Sequence, residues 1–139
     1  MTILNILNYP DPRLNKVASI VDEIDDDIRT IIKHMTETMY AASGIGLSAT
    51  QVNFHKQIII IDISEKKNDL LILLNPKILR ADGYQNSQEG CLSVPGIYEE
   101  VRRASEIKVK ALNIEGELIE LNVDGKLSIC IQHEMDHLM

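Results

Sequence analysis

SICIQHEMDHLM, residues 128–139, carries two patterns at once. Leu127, Ile131, Met135 and Leu138 recur at helical spacing, so residues 125–138 are expected to form a helix with one apolar face. On that helix His133 and His137 stand four apart, about 40° around the axis and one turn along it. Both imidazoles then face one way and can grip a single cation, with Glu134 beside them. The plainer alternative is that one histidine is an ordinary surface or core residue and the spacing is accidental.

A catalytic centre of this kind takes three protein ligands and keeps one position open. Zinc-dependent proteases built on such a motif find the third ligand downstream. Only Leu138 and Met139 follow here, so a third ligand has to come from upstream. The candidates are His34, His55, Cys91 and several carboxylates. His34 is expected on the exposed face of another helix, and His55 in a loop before a strand. Cys91 lies in QEGCLSVPG (88–96), where Gly90 lets backbone approach closely and Pro95–Gly96 ends the segment in a turn. A cysteine in such a rigid loop would offer a thiolate, the better ligand. Taken alone, Cys91 is more simply a small buried apolar residue. Cys130, in an apolar context on the helix of the two histidines, is of that ordinary kind.

Outward from this helix, residues 25–42 read as a second one. Acids crowd its start, where the helix dipole favours them, and Ile28, Ile31, Ile32, Met35 and Met39 fall at helical spacing. Gly44 and Gly46 then break it. QIIIIDI (57–63) and LLILLNP (70–76) are short apolar runs with β-branched content, expected as buried strands. EIKVKALN (106–113) alternates, and IEGELIELNV (114–123) reads as a hairpin arm turning at Gly116. YPDPRL (9–14) is turn chemistry. Strands and helices segregate rather than alternate in βαβ units, which argues for an α+β fold with a mainly antiparallel sheet. A length of 139 residues and an apolar fraction of 45% suit one domain, 1–139, with a core of Ile, Leu and Val.

The formal charge is −7, so a phosphate-binding surface is not expected as the main function, and no specific nucleic-acid partner follows. RRASEIKVK (102–110) is the one basic cluster and reads as a solvated face. Two cysteines make no disulfide framework. The N-terminus lacks signal-peptide character, and no run of about 18 apolar residues exists to span a membrane. A reducing cytoplasm is the expected setting.

GIGLSATQ (44–51) is the third constellation. Its glycines permit an extended peptide to approach the backbone, and Gln51 offers an amide N–H to a developing oxyanion. By itself the stretch reads as a helix stop followed by a loop.

Taken together and in this order, GIGLSATQ, EGCLS (89–93) and QHEMDHL (132–138) resemble the peptide deformylase family. The second and third motifs match fully. The first departs at Ser48 and Thr50, where the family carries alanine and usually proline. The resemblance covers nearly the whole chain. It implies antiparallel sheets packed around a central helix bearing the two histidines. It nominates Cys91 as the third ligand with His133 and His137, and a water in the fourth position. Glu134 would take a proton from that water and pass it to the leaving amine. The oxyanion would be held by the Gln51 amide and the Leu92 backbone N–H. The substrate would be a nascent peptide beginning with N-formylmethionine, its backbone lying along Ile45–Gly46 and Gly90 as an added strand. Ile129, Cys130 and His133 match positions lining the methionine pocket, and Lys126 stands where the family often has an apolar residue. Arg103 matches an arginine that pairs with the aspartate of the third motif, here Asp136.

A thiolate with two imidazoles suits Fe2+, Zn2+, Ni2+ or Co2+. The resemblance favours Fe2+ in cells, with Zn2+, Ni2+ or Co2+ as substitutes. Longer members continue past the second histidine, often with a C-terminal helix that docks at the ribosome. A natural short form and a shortened chain both fit where this sequence stops. Docking through such a tail is not expected, although proximity to the ribosome is. The competing functions are an inactive homologue that binds metal or peptide without turnover, and a general metalloprotease.

Overall fold

The structure is a computed structural model that describes residues 2–139. Helix α1 spans Asp26–Ala41 and helix α2 spans Gly125–Asp136. The strands are β1 (Gly46–Ser48), β2 (Ile58–Ile61), β3 (Leu71–Asp82), β4 (Gln85–Cys91), β5 (Val94–Arg103), β6 (Glu106–Leu112) and β7 (Leu118–Asp124). Five of them form one sheet in the order β1-β2-β3-β6-β7, and β4 and β5 form a separate hairpin. All these pairings are antiparallel, so the fold is α+β as the segregation of elements implied.

The run of four isoleucines in β2 lies between two cores. Ile59 and Ile61 pack toward Ile131, Met135 and Leu138 of the α2 region, with Leu73, Ile107 and Val109 from neighbouring strands. Ile58 and Ile60 pack on the opposite face against Ile28, Ile32, Met35 and Met39 of α1. A strand covered on both faces has no polar side to show, hence a continuous apolar run instead of alternation. All four are at most 1% exposed. Each contributes about 1.5–3 kcal/mol relative to solvent exposure.

α1 starts where the acids predicted. The Asp25 side chain accepts the Ile28 N–H at 2.9 Å, and Asp26 and Asp27 occupy the positive end of the helix. His34 is half-buried on this helix instead of exposed. The helix is not stopped by a glycine. Ser43 takes the left-handed conformation (φ 57°) that ends it. Gly44 serves packing: a Cβ there would lie 2.6 Å from Leu92 Cδ1. The segment expected to be a loop after this stop is instead β1 followed by a 3-10 turn at Ala49–Val52. Both are buried, because β1 pairs with β2 at the edge of the main sheet.

Three further readings change. β3 extends to Asp82, past the expected end at Pro76, because a register shift between Leu74 and Lys77 accommodates the proline. Asn75 sits at that shift with φ 52°, and its amide binds both Val21 N (2.7 Å) and Val21 O (2.9 Å). The basic stretch 102–110 is a solvated face at Arg102 and Lys110 but not throughout, since Ile107 and Val109 enter the core and Arg103 is drawn into an ion-pair network. Cys91 is not in a loop. It ends β4, the hairpin turns at Leu92–Ser93, and Pro95–Gly96 lie within β5, where Gly96 has φ 78°.

Candidate active site

α2, the β4–β5 hairpin and the β1 segment converge on one spot. Cys91, His133 and His137 each bring a ligand atom there, and the three atoms lie within 4.8 Å of one another. Cys91 Sγ is 3.4 Å from His137 Nε2. His133 Nδ1 is 2.8 Å from Glu89 Oε1, which leaves Nε2 as its ligating nitrogen. One thiol and two imidazoles at this separation are a donor set for a borderline divalent cation. Neither His34 nor His55 joins them; the His55 ring is engaged with the Arg13 carbonyl at 3.0 Å.

Glu89 is a site residue that the motif reading passed over. Its carboxylate accepts from Arg103 Nη2 (2.8 Å), Arg103 Nε (3.0 Å) and Ser87 Oγ (2.5 Å) as well as facing His133. Burial alone would raise its pKa, but the hydrogen bonds from Arg103, Ser87 and His133 outweigh that and hold it at about 2. Arg103 Nη1 also reaches Asp136 Oδ2 at 2.5 Å. Strand alternation was the available signal: Ser87, Glu89 and Cys91 are spaced by two, so all three face the same side of β4.

Glu134 lies beside the three donors, buried, with no partner for Oε1 among the described residues. Burial pushes its pKa up to about 8, with the charges of Glu89 and Asp136 adding and Arg103 opposing. Gly46 makes room for it, since a Cβ at that position would be 2.7 Å from Glu134 Oε2. Burial also lowers the His137 pKa to about 4, with His133 contributing, so its imidazole is neutral, which is the ligating form.

Gln51 is fixed from three sides. Its Oε1 accepts from Ser48 N (3.0 Å) and from Ser48 Oγ (3.2 Å), and its Nε2 donates to Ser93 Oγ (3.1 Å) and toward Cys91 Sγ (3.4 Å). The N-terminal arm straps this region through its main chain: Leu7 N donates to Gln51 O (2.7 Å) and Tyr9 N to Ser93 O (2.8 Å). Thr50, the other departure from the motif, is buried with no partner for its hydroxyl among the described residues. Leu92 follows Cys91 directly at the hairpin turn.

A cleft of about 650 Å3 runs from this centre between β1 and β4, lined by Ile45, Gly46, Gly90, Tyr98, Lys126 and Glu134 among others. A second cavity of about 500 Å3 opens on the other side of Cys91, against His133, His137, Val94 and Val101. Ile129 and Cys130 line neither cavity. Cys130 packs in the core and burial pushes its thiol up to about 11.

The sequence profile of the family described as polypeptide deformylase matches residues 3–139. The chain belongs to this family. Peptide deformylase 1 of Burkholderia multivorans is 59% identical over 140 residues, covering all of this chain and 77% of that protein. The peptide deformylase of Neisseria meningitidis strain FAM18 is 51% identical over 139 residues, covering all of this chain and 83% of that protein. Among solved structures, the Legionella pneumophila peptide deformylase superposes with a TM-score of 0.95 at 42% identity, over 98% of this chain and 80% of that one. The Synechococcus elongatus enzyme, solved in complex with actinonin, gives 0.92 at 45% identity, over 97% and 73%. The deformylase family is metal-dependent, and the three-donor cluster fits that requirement.

Proposed function

We propose that this chain, as a single catalytic domain, hydrolyses the formamide bond of N-formylmethionyl peptides and releases formate. The observation that carries the reading is the three-donor cluster with the buried, unpartnered Glu134 oxygen beside it. Cys91 Sγ and the Nε2 atoms of His133 and His137 would hold one divalent ion, Fe2+ in cells, with Zn2+, Ni2+ or Co2+ able to replace it. The ion would supply Lewis acidity toward oxygen.

The remaining steps belong to side chains. Glu134 accepts a proton from the attacking water on Oε1 and delivers it to the departing amine nitrogen. The Gln51 hydrogen that faces Cys91 Sγ, together with the Leu92 backbone N–H, receives the negative charge that develops on the formyl oxygen. The peptide lies extended along Ile45–Gly46 and Gly90, and the methionine side chain turns toward the cavity lined by His133. Glu89 and Arg103, with Asp136, hold His133 in orientation.

The setting is the cytoplasm near the ribosome, where formylated chains emerge. Among the described residues no helix is long and apolar enough to cross a membrane. Actinonin, bound by the Synechococcus relative, is expected to bind this cleft too. The decisive experiment is an assay of the anaerobically prepared, metal-loaded protein on formyl-Met-Ala-Ser against unformylated Met-Ala-Ser. Formate release from the first alone is expected, and cleavage of an internal peptide bond or no turnover would overturn the proposal.

A further inference from the structure

Lys126 stands apart in the cleft. It is the one basic residue among those lining it, and Glu134 is the one acidic residue. It is exposed and makes no ion pair among the described residues. Its place relative to the reacting end follows from two contacts. At their far ends β4 and α2 touch through Gln85 Nε2, which donates to Gly125 O at 3.2 Å. At their near ends they meet through Glu89 with His133 and Cys91 with His137. The strand and the helix therefore run side by side toward the three-donor cluster, and Lys126 marks the outer end of the wall that α2 gives the cleft.

That geometry sets a register. Eight residues of helix place the Lys126 backbone about 12 Å from that of Glu134. An extended peptide rises about 3.3 Å per residue and alternates its side chains. With its formyl carbon at Glu134, the third residue lies about 9 Å outward, within reach of the flexible lysine stem. Its side chain shares a face with that of the methionine. The second residue points the other way.

We propose that Lys126 is a specificity-determining residue that selects an acidic side chain at the third position of the formylated peptide. This rests on the deformylase reading. An exposed charge pair of this kind is modest, and the contrast between an acidic and a basic residue at one position amounts to about threefold to tenfold in kcat/KM.

The test compares formyl-Met-Ala-Glu with formyl-Met-Ala-Lys, and formyl-Met-Glu-Ala with formyl-Met-Lys-Ala. The enzymes are the metal-loaded wild type, Lys126→Glu and Lys126→Gln. The wild type is expected to prefer Glu at the third position and to show no such ratio at the second. The ratio should invert in Lys126→Glu, vanish in Lys126→Gln, and shrink as salt is raised. A third-position ratio near one in the wild type, a ratio unchanged in both variants, or an equal ratio at the second position would each overturn the assignment. Absence of any turnover of formyl-Met-Ala-Ser by the wild type overturns the deformylase reading itself, and this inference with it.

Discussion

Glu89 Oε1 lies 2.8 Å from His133 Nδ1 while the same carboxylate is gripped by Arg103 Nη2 and Nε. The imidazole is thereby locked in one tautomer, with Nε2 turned to the cluster. Glu89→Ala is expected to lower metal affinity about tenfold to a hundredfold, read by competition with a chelator. Glu89→Gln, which keeps one acceptor for Arg103, should lose less. Equal affinity in Glu89→Ala and wild type would remove the orienting role.

Glu134→Ala is expected to retain the metal and to lose activity by about a hundredfold to ten-thousandfold. Metal content of the purified variant and kcat on formyl-Met-Ala-Ser are the two measurements. Near-normal turnover in a metal-replete Glu134→Ala would defeat the assigned proton transfer.

Gly46 has an ordinary backbone conformation, so its role is space alone. A methyl group there would sit 2.7 Å from Glu134 Oε2 and 3.1 Å from its Cγ. Gly46→Ala should therefore displace the carboxylate, lowering kcat more than it raises KM, with metal content preserved. A variant with unchanged kcat would show that Glu134 can shift at no cost.

Cys91→Ala should lose the metal while remaining folded, because Cys91 lies at the end of a hairpin and outside both cores. Adding metal should raise the melting temperature of the wild type, since a ligand bound only by the folded state stabilises it in proportion to RT ln(1 + [L]/Kd). The same addition should leave Cys91→Ala unmoved. A metal-dependent rise in both proteins would place the binding elsewhere.

Asp62 supports the fold away from the site. Tyr40 OH donates to it at 2.6 Å, and Ser64 N (2.9 Å), Ser64 Oγ (2.5 Å) and Asp69 N (3.2 Å) complete its shell. Burial by itself raises its pKa, yet these bonds overcome that and lower it to about 2. A depressed carboxylate contributes stability that is fully present above the ordinary value near 3.8 and is lost as pH falls through about 2. Tyr40→Phe should cost about 1.5–3 kcal/mol in urea unfolding at neutral pH. Asp62→Asn should flatten the acid limb of the stability curve between pH 4 and 2; an identical acid limb would show that other carboxylates carry it.

The two helices were legible because their apolar residues repeat with a helical period, and β2 because it is a short, unbroken β-branched run. His133 and His137 were legible through the helical period too, as neighbours one turn apart. The hairpin was not. QNSQEGC has no apolar alternation, because β4 turns one face to the cleft and the other to a polar network, so nothing in its composition marks a strand. Pro95–Gly96 look like a turn, yet β5 runs through them and the chain reverses at Leu92–Ser93. Glu89 was overlooked because its partners His133 and Arg103 are distant in sequence, and only pairing of β4 with β5 and packing on α2 brings them together.

The order in which the donors occur along the chain has a consequence for biogenesis. The sulfur belongs to the hairpin and both imidazoles to the later helix. A chain growing from its N-terminus exposes a lone thiol first and stays unable to chelate until α2 has left the synthesis machinery. Loading with metal can therefore begin only once α2 has emerged, after the hairpin that carries the sulfur.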